Sequence, residues 1–444
     1  MRSGLRSYVD LLEREHELVK ISKEVDPTFE ASGIIKKIQQ GINKAVLFEK
    51  VRGYRLPFVS NILGTYPRVA RVLGCEVKEI NTTWNRKEKD LALFAPTRAQ
   101  REENAYVGSA IHEITSLTYC EKDAGPYITA GMALARDLDT GPYNLSFHRL
   151  QVVDDSKLRF RITPGNHLET LFQKAEERDQ PLELAILLGG HPAFMLAAAS
   201  RLPLDQDELQ LAGALLGEPV RLRPCKKINL EVPTGIDFVI EGALRPHVRE
   251  EEGPFGDFLG YYVPVHKNLV FEVRSVSRLR DSYAYGILAG SAEQDLLVGV
   301  PIAANIYRIV KGAIPSVIDV ACLPHVYHSV VQMRPQFPGE ARQAALAALS
   351  CDPSQTKICT VVDPDVDIHN PLDVHWATTT RCCPDTDVFI VPDIPSFRRD
   401  PFRTHWGKMG IDATKPLSEE ATSDFQRTRI PGIEKINLKD YLEL

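Results

Sequence analysis

The sequence predicts an α/β multidomain protein: an N-terminal α/β domain over 1–104, a split β-barrel domain over 105–300 and a C-terminal α/β domain over 301–444. Three observations carry this reading. The 444 residues suffice for two or three domains at roughly 100–200 residues each. Strand-like and helical periodicities alternate at both ends of the chain, whereas strands follow one another with few long helices in the middle. The middle also holds a strong hairpin signal: Leu150–Val153, the polar turn Asp154-Asp155-Ser156-Lys157, then Leu158–Ile162.

Composition narrows the class. Hydrophobic content of 43% and charged content of 25% are those of a soluble globular chain with a full core. A net charge of −6 argues against a nucleic-acid footprint or a membrane-surface patch. No apolar run reaches the ~18 residues of a membrane span. Met1-Arg2-Ser3-Gly4-Leu5 leads straight into a helical pattern without a signal peptide. A cytoplasmic protein is expected. Eight cysteines include no C-x-x-C pair, and Cys382-Cys383 are vicinal, so most are expected as buried thiols rather than disulfides or zinc ligands.

Taken in order, Leu5, Tyr8, Val9, Leu11, Leu12 and Leu18 recur at helical spacing before the strand-like Val19-Lys20-Ile21. Asp26-Pro27 reads as a helix cap and first position. Strands are expected at Ala45–Phe48 and Leu56–Asn61, with a charged linker over 86–104. In the middle, Ile128-Thr129, Tyr143–Val153, Leu158–Ile162, Leu182–Leu188, Arg221–Leu230 and Leu269–Ser277 supply strands. Beyond Val300, Val317–Val320, Cys359–Val362 and Val388–Val391 read as strands and Gly339–Leu349 as a helix of small apolar residues. Asp363-Pro364-Asp365-Val366-Asp367 lacks the Gly and distal Glu of a calcium loop and is expected as a strand end with solvated acids.

The stretch that carries most chemistry is Glu252-Gly253-Pro254-Phe255-Gly256-Asp257, followed by Gly260-Tyr261-Tyr262. Pro fixes its own φ and the glycines free the backbone, so such a turn can aim two acids into one pocket for acid–base work, where an ordinary acidic turn would only be solvated. Arg149 precedes an apolar run, and a guanidinium directed inward there would seek Glu252 and Asp257. Thr163-Pro164-Gly165-Asn166-His167 is a turn presenting a His. Imidazole, an Asn oxygen and a carboxylate together suit a hard or borderline divalent ion. Glu208 opens the helical run Leu209–Leu216, where an acid also complements the helix dipole. There is no G-x-x-x-x-G-K-[ST], no G-x-G-x-x-G after a strand, no H-E-x-x-H and no G-x-S-x-G. Spacing alone supports a metal-and-carboxylate enzyme site.

At this level of detail the chain resembles the UbiD family of reversible, non-oxidative decarboxylases that use prenylated FMN. The resemblance runs over nearly the whole chain: Val25-Asp26-Pro27; Asn144, Arg149 and His167; Ala199-Ser200, Asp207-Glu208-Leu209 and Ala212-Gly213-Ala214-Leu215; Ile240-Glu241-Gly242; the Glu252–Asp257 turn with Gly260-Tyr261; Val374-x-Trp376-Ala377 with Arg381; and Lys408–Thr414. Each piece is weak, but their order and spacing are specific.

The resemblance implies that Asn144, His167 and Glu208 ligate Mn²⁺ or Mg²⁺ clamping the flavin phosphate, with Glu241 the rival carboxylate. It implies K⁺ close by, near Ala199 and Ser200, and Asn166 among the cofactor contacts. Arg149, Glu252 and Asp257 become the catalytic set, with Asp257 or Glu252 returning a proton to carbon. Asp at 257 is shorter than the Glu of some members. Removing a carboxylate from an sp² carbon requires an electron sink that no side chain supplies. The implied reaction interconverts an aromatic, heteroaromatic or α,β-unsaturated acid with its decarboxylated product and CO₂ through a covalent prenylated-FMN adduct. A flavin prenyltransferase would supply the cofactor, and the chain would form a homodimer or larger homo-oligomer through its C-terminal domain. His325, His328 and Arg334 lie in a polar segment expected to meet the substrate, which favours a small (hetero)aromatic acid such as a furan carboxylate or dicarboxylate. Two rivals stand beside this reading: a catalytically silent flavin-binding or assembly protein, and a metal-dependent phosphate-ester hydrolase.

Overall fold

The hairpin marked by the sequence lies at the centre of the computed structural model, which describes residues 4–99, 106–137, 139, 141–351, 356–395, 405–418, 424–437 and 440–441. Strands Tyr143–Asp154 and Lys157–Phe160 pair antiparallel with Leu150 opposite Phe160. Their turn is closed by Asp154 Oδ1, which accepts both the N–H (2.8 Å) and the hydroxyl (2.6 Å) of Ser156. Outward from the hairpin the sheet continues through Tyr127–Arg136, Leu182–Leu188, Phe238–Glu252 and His266–Leu279. The last strand pairs with both Phe238–Glu252 and Lys157–Phe160, which closes a six-stranded antiparallel barrel. Closure leaves no open edge in these strands. Tyr106–Ser109 adds a short strand outside the ring.

On the N-terminal side, helix Leu5–Arg14 buries Leu5, Tyr8, Val9 and Leu12, the i, i+3, i+4, i+7 stripe. The neighbouring sheet runs Leu18–Ile21, Ala45–Phe48, Phe58–Ser60, Ala284–Tyr285. Its last strand comes from beyond the barrel, so the N-terminal layer is completed by chain far outside residues 1–104. The C-terminal sheet is mixed, in the order Val317–Cys322, His328–Met333, Ile358–Val362, His405–Ala413, Val388–Pro395. Helices Ala292–Ala313 and Glu340–Cys351 share one core with it, and Pro371–Arg381 contributes to a second.

Helix Ala292–Ala313 is long and apolar enough by composition to cross a membrane. Here it packs between the Ile80–Lys89 helix and strand Val317–Cys322. Its fully buried Glu293 accepts the N–H groups of Asn61 (2.7 Å) and Leu63 (2.9 Å) and the Tyr285 hydroxyl (3.0 Å). This helix ties the N-terminal layer to the C-terminal one. The expected boundary at 300 falls inside it.

Several local expectations are corrected. The second helix starts at Glu30, not Pro27, because Asp26 Oδ1 accepts the Thr28 N–H and forms a turn before the helix. Residues 86–99 are not a linker: the helix runs to Lys89, and Thr97–Arg98 pairs with Arg221–Pro224; 100–104 lie outside the described residues. The strand expected over Arg221–Leu230 stops at Pro224. Asp363 and Asp365 are not simply solvated, because both accept from the buried Arg381 at 2.8–3.0 Å. All eight cysteines are free thiols, but only Cys322 and Cys359 are buried.

Candidate active site

Arg149 sits where the barrel ladder is interrupted. Leu150 faces Ile128 and His148 faces Gly131, so Thr129 and Ala130 together oppose Arg149. Such a bulge re-aims the side chain it opposes. The guanidinium is directed inward, with its Cζ 4.6 Å from the Phe255 ring centroid. It meets Glu252 as a fork: Nε donates to Oε1 at 2.9 Å and Nη2 to Oε2 at 2.8 Å. Glu252 is 0% exposed, and Asn268 Nδ2 also donates to Oε2 at 2.8 Å. A buried anion of this kind is tolerated only with such partners. Arg149 Nη1, also buried, has no partner among the described residues.

Asp257 lines a cleft together with Arg149, His148, Arg161, Ala199 and Gln294, with apolar walls from Phe147, Phe255, Ile287 and Leu297. Glu252 is not on that wall. The cleft encloses about 160 Å³. Asp257 itself sits in a tight turn, its N–H donating to Tyr261 C=O and its C=O accepting from Gly260 N–H, both at 2.9 Å.

A second cluster adjoins the cleft. Helix His167–Glu177 starts at His167 because Asn166 caps it, Oδ1 accepting the Glu169 N–H at 3.0 Å. Helix Glu208–Leu216 starts at Glu208 because Asp207 caps it, accepting from Leu209 N–H at 2.7 Å. These two helix starts bring His167 Nδ1 to 3.8 Å and Asn144 Nδ2 to 3.3 Å from Glu208 Oε1. Glu208 is buried, and among the described residues it has no Lys or Arg ion pair. Burial, with the Glu208 charge adding to it, pushes the neighbouring Asp207 up to about 6. A buried carboxylate without a basic partner among the described residues, beside an imidazole and a carboxamide, is a donor set that fits a hard or borderline divalent cation. Glu241 is elsewhere: its carboxylate accepts the backbone N–H groups of Lys226 and Lys227.

Ser146 links this cluster to the cleft. Its hydroxyl lies 3.1 Å from Asn144 Oδ1 and 2.9 Å from His148 Nε2, and His148 Nδ1 lies 3.1 Å from the Arg161 carbonyl. A carbonyl only accepts, so Nδ1 carries the hydrogen. Burial pushes His148 down to about 4, which keeps the ring neutral. Ala199 closes the C-terminal end of helix Pro192–Ala198, where carbonyls gather, and the Ser200 hydroxyl beside it is buried without a partner among the described residues.

The structure does not bring the three expected substrate residues to the cleft. His328 is half-buried in a strand, where its Nε2 meets Thr360 Oγ1 at 2.8 Å, and burial lowers it to about 4. Arg334 is exposed just past that strand. His325 Nδ1 bonds the Phe258 carbonyl at 3.0 Å. The polar segment is a strand flanked by turns, and its register commits these groups to other partners. Asn166 is committed to its helix cap. Sequence reasoning missed Asn268, His148 and Asp123, whose Oδ1 accepts the Gly256 N–H at 2.7 Å. Asn268 and Asp123 act across 16 and 133 residues, contacts that leave no local pattern.

Models of the 3-octaprenyl-4-hydroxybenzoate carboxy-lyase family, UbiD, match through the N-terminal domain (9–87), the Rift-related domain (95–292) and the C-terminal domain (295–413). The chain is 34% identical over 431 residues to an anhydromevalonate phosphate decarboxylase of Methanothermobacter thermautotrophicus, covering 95% of this chain and 99% of that one. The UbiD-class enzyme HmfF of Pelotomaculum thermopropionicum, solved with FMN, superposes with TM-score 0.92 at 37% identity over 99% of this chain and 100% of that one. An evolved dimeric form of the same enzyme, solved with prFMN, gives TM-score 0.88 at 36% identity over the same shares.

Proposed function

The chain belongs to the UbiD family of prenylated-FMN carboxy-lyases, and from that premise we propose that it decarboxylates, reversibly, a small unsaturated or (hetero)aromatic acid held by Arg149 and protonated by Asp257. The observation that carries the reading is the guanidinium itself. Nε and Nη2 are committed to Glu252, while Nη1 is buried and has no partner among the described residues. A carboxylate entering the cleft supplies the missing acceptor and gains a charge-assisted bond in a desolvated site.

Asn144, His167 and Glu208 would hold Mn²⁺ or Mg²⁺ against the phosphate of the flavin, and the carbonyl cluster at Ala199–Ser200 would hold K⁺. When bound, the prenylated flavin supplies the electron sink for the pair released as CO₂ departs. The remaining steps belong to the chain. Phe147, Phe255, Ile287 and Leu297 exclude water from the reacting carbon. Glu252, with all its oxygens engaged by Arg149 and Asn268, fixes the guanidinium plane. Asp257, on the cleft wall, delivers a proton to the carbon that lost the carboxylate and recovers one from solvent. The enzyme would work as a homodimer or larger assembly in the cytoplasm, supplied by a flavin prenyltransferase.

The apolar walls favour a flat acid such as a furan carboxylate. A second reading, an acid of the anhydromevalonate phosphate type, is favoured by the 34% relative and by Arg161, a second guanidinium on the cleft wall suited to a second anion. The test is NMR in heavy water of protein co-expressed with the prenyltransferase. The panel comprises furan mono- and dicarboxylates, cinnamate, hydroxybenzoate, pyrrole carboxylate and anhydromevalonate phosphate. Deuterium replacing the carboxylate, with stoichiometric CO₂, identifies the substrate. Silence across the panel from fully flavin-loaded protein would favour a non-catalytic flavin binder.

A further inference from the structure

We propose that Asp123 and His325 are positioning residues for Asp257, gripping the backbone one residue to either side of it; this rests on Asp257 being the proton donor. On one side, Asp123 Oδ1 accepts the Gly256 N–H at 2.7 Å, while Oδ2 accepts the N–H groups of Tyr119 (3.2 Å) and Cys120 (2.9 Å). The carboxylate pins the segment before Asp257 to the 119–123 turn that leads into barrel strand Tyr127–Arg136. On the other side, the His325 Nδ1–H donates to the Phe258 carbonyl at 3.0 Å. The neutral Nδ1–H tautomer suffices, since the carbonyl only accepts. The Phe258 ring packs against the C-terminal core, edge-on to Tyr327 at 6.3 Å. With the Asp257 N–H and C=O already bonded within their own turn, the backbone at 256, 257 and 258 is tied down.

The His325 turn supports a positioning role beyond loop packing. His325 and Val326 both have positive φ, 65° and 54°. The Tyr327 N–H bonds the His325 carbonyl at 2.8 Å, closing a three-residue turn around Val326. A β-branched residue at the centre of such a turn is rare and strained. Surrounding contacts hold it: Val326 is buried, and Asp295 Oδ1 accepts the His325 N–H at 3.0 Å. Val326 burial alone would explain a packed loop. It does not explain a ring delivered to a carbonyl 67 residues away in sequence, next to the acid on the cleft wall. Backbone strain of this kind clusters at functional sites. The two grips come from different units, Asp123 from the barrel side and His325 from the C-terminal sheet, so the acid is placed where both meet.

The test uses the flavin-loaded enzyme with His325→Gly, which suits the positive φ and removes the ring, and His325→Asn, which tolerates that φ and keeps an N–H donor. His325 is exposed, so neither change empties a buried site. Amide hydrogen exchange over 255–261 should quicken about tenfold in His325→Gly, return towards wild type in His325→Asn and stay unchanged in the N-terminal sheet. With the acid that wild type turns over in the panel above, His325→Gly should lower kcat about tenfold with KM within about twofold, because misplacement affects reaction geometry more than binding. Asp123→Ala should quicken exchange in the same segment. Unchanged protection in His325→Gly, or lost protection with full kcat, overturns the proposal. Failure of the underlying reading is seen separately in Asp257→Asn, whose turnover reports the acid while its exchange at 255–261 stays that of wild type.

Discussion

At the scale of single residues, the Arg149–Glu252 fork makes the sharpest claims. Arg149→Ala would strand a fully buried carboxylate with only Asn268 for company. Breaking one side of a buried pair costs about 3–5 kcal/mol, so urea unfolding should show a loss of that size. Arg149→Met with Glu252→Leu should recover much of the stability and none of the turnover. Asp257→Asn should reduce turnover by at least about 10²-fold, the scale of one acid–base group, while the flavin absorbance persists; near-normal turnover would remove Asp257 from the mechanism. His148 carries a pH signature. Its folded value is lowered from 6.5 to about 4 by burial. Between those values the unfolded ring binds a proton that the folded ring does not, so stability falls as pH falls through this window, by up to about 3 kcal/mol below pH 4. Urea midpoints measured at pH 7, 6 and 5 should show that slope, and His148→Gln should flatten it.

At the scale of elements, two helix starts build the proposed cation cradle, and each depends on a side-chain cap. Asn166→Ala removes the Oδ1 that accepts the Glu169 N–H. The loss of a cap costs about 1 kcal/mol, and fraying of the first turn moves His167, its first residue. The expected outcome is a modest drop in thermal midpoint with a larger drop in metal content, read by elemental analysis. Elements also show where local patterns are legible. The Leu5–Arg14 stripe, the hairpin at 150–160 and the small-residue helix after Gly339 could be read because each satisfies its own periodicity. The Asp26 turn and the truncated Arg221–Pro224 strand could not, because Asp26 bonds its own backbone and the strand's end is set by its sheet partners.

At the scale of the whole molecule, the cradle and the cleft should stand or fall together. His167→Ala, or prolonged chelation, should lose metal and flavin in parallel, read as elemental content and visible absorbance; full flavin occupancy without metal would show that the ligand assignment is wrong. The family and the three-part architecture were legible in the residues, because ordered motifs such as Glu252–Asp257 and Lys408–Thr414 survive as contiguous strings and burial periodicity survives folding. Charge made Glu252 and Asp257 both candidate partners for an inward Arg149, and the structure pairs it with Glu252. What the tertiary structure decided were contacts whose partners are far apart in the chain. Barrel closure put Asn268 on Glu252, a bulge opposite Arg149 aimed it inward, and sheet register drew His328 to Thr360 and away from the cleft. A sequence records which groups a chain carries and how they repeat along it. Which groups meet depends on register, closure and desolvation, and these exist only once the chain has packed.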